Sequence, residues 1–236
     1  MKNILNAHYL RLVAGWMAAL AVGWAVLWLL NKYTPPQHNP FAALDLSDPI
    51  GMATYRKFTN LKNNREACFS ALDATGVGYT PIPDRETGEN CGFKNALTLD
   101  QSMTPYSATL SMTCIQTAAL YTWEVKVVRP AAEDLLGSEV ARMETYGAYS
   151  CRTIAGSRRW SQHSRANAVD ISGFRLKDGR LIDVKTHWGN DGPEGEFLKR
   201  VRDGACRVFS VTLGPDYNAA HADHFHLDMG RGDVCR

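Results

Sequence analysis

Apolar and polar positions divide the 236 residues into two unlike parts. Leu12–Leu30, LVAGWMAALAVGWAVLWLL, is an uncharged run of 19. At about 1.5 Å per helical residue it nearly crosses a hydrocarbon core of roughly 30 Å. It has no polar face, which argues against a buried helix of a soluble domain. Trp16, Trp24 and Trp28 lie within it, and tryptophan favours the membrane interface. A cleaved signal peptide is the alternative. It would carry a shorter apolar region and a small-residue cleavage site, whereas this run leads into NKYTPPQHNP. The pattern predicts an uncleaved anchor at 12–30. Lys2 and Arg11 precede it and Lys32 follows, a slight bias toward a cytoplasmic N-terminus over residues 1–11.

Residues 31–60 are proline-bearing and aperiodic, and read as a linker. The globular domain is then expected over 61–236. Helical spacing covers 64–75, with Gly76 as its stop. PDRETGENCG reads as a polar turn region. Helical spacing returns over 113–128 and is expected to end at Pro130, with a short helix at 131–136 before Gly137. Val140–Tyr146 has the pattern of a strand. NAVDISGFRL, KDGR and LIDVKT read as strand, tight turn and strand. DGPEGEFLKRVRDG reads as a helix that opens on Pro193 and closes at Gly204. RVFSVTL and HFHLDM are two more strands. This order predicts an α+β domain, a largely antiparallel sheet with flanking helices.

Composition adds two constraints. A net charge of +2 is too small to indicate nucleic acid. Cys68, Cys91, Cys114, Cys151, Cys206 and Cys235 all follow the apolar run, with no C-x-x-C pair. An even, dispersed set beyond a membrane span reads as disulfides in an oxidising compartment. Six free buried thiols in a cytosolic domain are the competing reading. Cys68–Cys91 is the most local pairing.

The chemistry concentrates in SQHSRANAVD (161–170) and HADHFHLDMG (221–230), which hold four of the seven histidines. Strand alternation places His224, His226 and Asp228 on one face, with Phe225, Leu227 and Met229 on the other. Asp170 alternates with Val169 and Ile171 in the same way. Two strands of one sheet could therefore present Asp170 beside His226, with His163 swinging over them from the preceding loop. Two imidazoles and a carboxylate suit zinc, with a fourth position left for water. The His-x6-Asp spacing alone is weak evidence, and a hydrogen-bonded structural histidine is the plain alternative for each. His187, Trp188 and His221 could line a cleft, although each is more often structural. His8 and His38 fall outside the domain. No G-x-S-x-G elbow supports serine chemistry, so Ser161 reads as a loop hydrogen-bonding residue. Arg158, Arg159 and Arg165 surround His163, either as a solvated surface or as an attractor for an acidic polymer.

SQHSRANAVD resembles the S-x-H-x-x-G-x-A-x-D signature of zinc D-Ala-D-Ala peptidases, in the superfamily shared with lysostaphin and hedgehog. The resemblance implies that His163, Asp170 and His226 are zinc ligands. It also places the catalytic position at Asp223, where such peptidases carry glutamate, with His224 as the alternative base or transition-state donor. YSCR resembles the GYRS loop and makes Arg152 a substrate or oxyanion clamp. Ala166 stands where the signature has glycine. Over residues 61–236, ALDATGV, PIPD, ACRTIAG and CRVFSVTLGPDYNAAHADHFHLDMGR resemble the bacterial extensin-like C-terminal domain family.

These likenesses imply a zinc-dependent peptidoglycan peptidase on the bacterial inner membrane, single-pass, with its C-terminal domain in the periplasm. The expected reaction is hydrolysis of an amide bond in stem peptides or cross-links. The alternative is a non-catalytic, zinc-bearing wall-binding or interaction module. The expected partners are peptidoglycan and the membrane, with no nucleic acid.

Overall fold

The structure, a computed structural model, describes residues 2–236, with side chains from residue 8 onward. Helix α1 (Lys2–Tyr33) is continuous, and its apolar span His8–Tyr33 is long enough to cross a membrane and is not buried by the rest of the chain. A 3₁₀ turn at Pro36–His38 leads to α2 (Thr54–Leu61) and α3 (Arg65–Asp73). The strands β1 (Gly78–Ile82), β2 (Arg85–Gly88), β3 (Cys91–Phe93), β4 (Ala96–Gln101) and β5 (Leu110–Thr113) follow. Next come α4 (Cys114–Trp123), a π-turn over Glu124–Val128, α5 (Arg129–Leu136) and β6 (Val140–Gly147). The second half holds β7 (Ala168–Leu176), β8 (Leu181–Asp183), α6 (Val184–His187), α7 (Pro193–Ala205), β9 (Val211–Leu213), β10 (Phe225–Asp228) and β11 (Val234–Cys235).

The architecture is α+β, as the order of patterned segments predicts. The main sheet runs β11–β9–β10–β7–β6, with β8 also paired to β7. Every pair in it is antiparallel except β11–β9. Strand β7 pairs with β6 along one edge; β10 (Ala168–Ile171) and β8 (Gly173–Arg175) share the other. Val169, Ile171 and Phe174 of β7 join Phe225 and Leu227 of β10 in one core with Trp123, Phe197 and Val201 of the helices. Trp123 Nε1 donates to the Val201 carbonyl at 2.8 Å, which ties α4 to α7 inside that core. The opposite face of β7 and β10 is left for polar residues. A smaller sheet, β1–β4–β5, and the hairpin β2–β3 complete the domain.

Several expectations are corrected. The disulfides are Cys68–Cys114, Cys91–Cys151 and Cys206–Cys235, so all six cysteines pair, but Cys68 does not take Cys91. Cys68 sits on α3, which packs against the start of α4, whereas Cys91 opens β3 on a separate hairpin. Pro130 does not end the helix. The wider π-turn just before it accommodates a residue that lacks an N–H and crowds the carbonyl four back. VKT after Leu181–Asp183 turns into α6, because Asp183 caps it by accepting from Thr186 N–H. Residues 33–60 are not a free linker. Leu46 and Phe58 are buried in the main core, and the Lys57 ammonium donates to the Pro36 and Ala43 carbonyls. Isolated buried positions in a proline-bearing segment leave no periodic trace. PDRETGENCG is not only a turn, since it forms most of the β2–β3 hairpin.

Candidate metal centre

His226 and Asp170 are directly opposite each other across β10 and β7. This is the side-by-side placement that strand alternation predicts. His163 comes from a 3₁₀ turn, Gln162–Arg165, just before β7. Ser161 caps that turn by accepting from His163 N–H, the loop role expected of it. The turn closes on Ala166, whose φ of 54° is left-handed. The position therefore favours glycine, yet alanine occupies it without dispersing the cluster.

Three atoms converge. His163 Nε2 lies 3.2 Å from Asp170 Oδ1 and 3.1 Å from His226 Nδ1, and His226 Nδ1 lies 3.0 Å from Asp170 Oδ1. A tetrahedral ion with ligands at about 2.0–2.2 Å needs donor separations of roughly 3.3 Å, so the triangle is of the right size. All three residues are buried. The outer hydrogen bonds fix which ring atoms face inward. His163 Nδ1 lies 2.8 Å from the Ala148 carbonyl, which can only accept, so that nitrogen carries the proton. His226 Nε2 lies 2.9 Å from Asp228 Oδ2, and Asp228 Oδ1 accepts from Gly230 N–H at 2.7 Å. With protons held on those outer atoms, three lone pairs point at one another. Such an arrangement calls for a cation, either a metal ion or a bound proton.

The protonation behaviour of these side chains agrees with this. Burial would lower the pKa of His226, but hydrogen bonds to Asp170 and Asp228 outweigh it and raise it to about 9. Burial would likewise raise Asp170, but hydrogen bonds from His163 and His226 hold it well below the usual carboxylate range.

The two residues expected to share the catalytic role are not equivalent. Asp223 is 40% exposed in its side chain and hydrogen-bonds His224 Nδ1 through Oδ1 at 2.8 Å. The Tyr146 hydroxyl donates to its other oxygen at 3.4 Å. His224 Nε2 is 3.6 Å from Asp170 Oδ1, beside the cluster. Asp223 is therefore the orienting partner, and His224 is the residue that reaches the site.

The cluster opens into a cleft of about 620 Å³. Arg152, Arg159 and Arg231 line it, with Trp160, Tyr217, His221 and His224. Asp170 and Asp228 are its only carboxylates among the described residues, and both are held by histidines. His221 Nδ1 lies 2.8 Å from Asn218 Oδ1, which can only accept, so that nitrogen carries the proton. Burial, reinforced by the neighbouring His224, lowers its pKa to about 4. Arg165 instead pairs with Glu86 on the hairpin and Arg158 is absent from the lining, so of the expected basic patch Arg159 alone faces the cleft. His187 bonds within α6, and Trp188 Nε1 donates to Asp216 outside the cleft. Asp228 was legible on the histidine face of β10, but its bond to His226 was not. Arg231 carries no motif that would have marked it.

Fold and site together define a disulfide-stapled α+β domain that can hold a metal ion in a buried His/Asp/His cluster beneath a cationic cleft. The chain belongs to the family described as Extensin-like protein C-terminus, matched over residues 66–236. Comparison with curated proteins and with solved structures gives no match.

Proposed function

We propose that this is a membrane-anchored, zinc-dependent peptidase acting on peptidoglycan stem peptides or cross-links. The observation that carries the reading is the convergence of His163 Nε2, Asp170 Oδ1 and His226 Nδ1 with inward lone pairs at the floor of a cleft. Two imidazoles and one carboxylate, with an open side toward solvent, are the donor set of a catalytic zinc site. When bound, zinc supplies Lewis acidity that polarises a carbonyl and acidifies water toward a pKa of about 7.

The residues around it supply proton transfer and orientation. Asp223 holds the Nδ1 proton of His224, which leaves the Nε2 lone pair free to accept a proton from water and pass it to the leaving amine. Arg152 is placed in the cleft to meet a substrate carboxylate or a developing oxyanion. Arg159 and Arg231 extend the same preference, so the cleft suits a peptide that carries carboxylates. Helix α1 as anchor and three disulfides fit a domain exposed to an oxidising compartment, here the periplasm.

Elemental analysis of the purified full-length chain tests the metal. One zinc per chain, lost in His163→Ala and His226→Ala, is expected. Stoichiometric binding with no hydrolysis would favour the alternative, a zinc-bearing wall-binding module.

A further inference from the structure

We propose that Phe41 and Met52 insert into the bilayer surface and, with the collar of residues 34–54, seat the domain directly on the membrane. This rests on reading α1 as a membrane anchor.

The end of α1 has interfacial chemistry. The Lys32 ammonium lies 4.7 Å over the Trp28 ring and 5.5 Å from the centre of the Tyr33 ring. Aromatic rings and a snorkelling lysine mark the headgroup level. The chain then doubles back instead of departing. Asn39 Nδ2 donates to Asn31 Oδ1 at 2.8 Å and to the Asn31 carbonyl at 3.3 Å. Asn31 is two residues before the end of the helix, so residue 39 lies beside the last turn, about 3 Å below its end. Phe41 and Met52 hang from this same point. Phe41 N–H donates to Asn39 Oδ1 at 2.9 Å, and Met52 N–H donates to His38 Nδ1 at 3.2 Å.

The two residues are 80% and 84% exposed, more than any large apolar residue described on α1 itself. A single exposed apolar side chain is ordinary. Two of them, fixed to one turn level with a lipid-facing helix end, continue its apolar surface. The collar is also rigidly joined to the domain. The Lys57 ammonium is buried and donates to Pro36 and Ala43 carbonyls at 2.7 and 3.0 Å. Ala53 N–H donates to the Gln37 carbonyl at 3.1 Å, and a Cβ at Gly51 would collide with that same carbonyl. The domain is therefore tied to the turn beside the end of α1.

The test places the photo-crosslinker p-benzoylphenylalanine singly at Phe41, Met52, Trp16 and Met103 in the full-length chain, reconstituted in phosphatidylcholine vesicles. Lipid adducts are expected at positions 16, 41 and 52, and none at Met103, an exposed residue outside the collar. Adducts at 16 without adducts at 41 and 52 would overturn this docking while leaving the anchor intact. No adduct at 16 would overturn the anchor reading, and the docking with it.

Discussion

His226 Nε2 and Asp228 Oδ2 lie 2.9 Å apart, and this bond turns the Nδ1 lone pair of His226 toward Asp170 and His163. Carboxylates in this position orient a ligating imidazole and raise its basicity. Asp228→Ala is expected to weaken zinc binding by about 10–100-fold while the domain stays folded. Competition with a chromophoric chelator measures it. Unchanged affinity would mean that the ring is held by its strand alone.

The division of labour between Asp223 and His224 gives a second prediction. His224→Ala is expected to reduce hydrolysis by about 10²–10⁴-fold, the usual contribution of a positioned base, with zinc content unchanged. Asp223→Ala should cost less, because it removes only the partner of His224 Nδ1. Turnover measured with metal content on the same samples separates the two. A greater loss from Asp223→Ala would reverse the assignment.

The sequence reading placed His226 beside Asp170 because alternation is local. Period-2 patterning in HFHLDM and AVDIS fixes which side chains share a face, and the register then sets His226 opposite Asp170. It could not choose between Asp223 and His224, because that choice depends on where Tyr146 of β6 meets the strand end, 77 residues away. The disulfide pairing failed for the same reason. Cys68 and Cys114 are brought together by packing of α3 on α4, which has no local signature. The small sheet β1–β4–β5 was also invisible in advance, its short strands lacking clean alternation.

A third prediction concerns Glu124, fully buried in the π-turn. Its Oε2 accepts from the Ser102 and Tyr106 hydroxyls at 2.6 and 3.1 Å, while Oε1 has no partner among the described residues. Burial raises its pKa above the ordinary value, despite the opposing hydrogen bonds. A raised folded-state pKa makes its favourable contribution below the unfolded value and loses it as pH rises through the folded one. Glu124→Gln should therefore raise Tm relative to wild type above that transition, with the advantage shrinking toward pH 4. Thermal denaturation across pH 4–9 checks this. A constant difference at all pH values would contradict it.

Ala166 supplies a fourth prediction. Its left-handed backbone costs alanine about 1–2 kcal/mol. Glycine would relieve that strain. It would also lose about 0.8 kcal/mol for the buried methyl packed near Phe93 and Ala96, and about 0.4–1 kcal/mol through the freer unfolded chain. These contributions nearly cancel, so Ala166→Gly should shift stability by less than about 1 kcal/mol and leave zinc affinity unchanged. Chemical denaturation and the chelator assay measure both. Stabilisation of several kcal/mol would show that the loop stores more strain than its backbone angle indicates.

The central claim is hydrolysis at the His163/Asp170/His226 cluster. Its most direct test is mass spectrometry of purified muropeptides after incubation with the zinc-loaded, full-length protein. New pairs of fragments whose masses sum to that of the parent muropeptide plus one water are predicted. They should vanish with chelator, return on adding zinc, and be absent with His226→Ala. Muropeptides that remain unchanged with the zinc-loaded wild type would contradict the account.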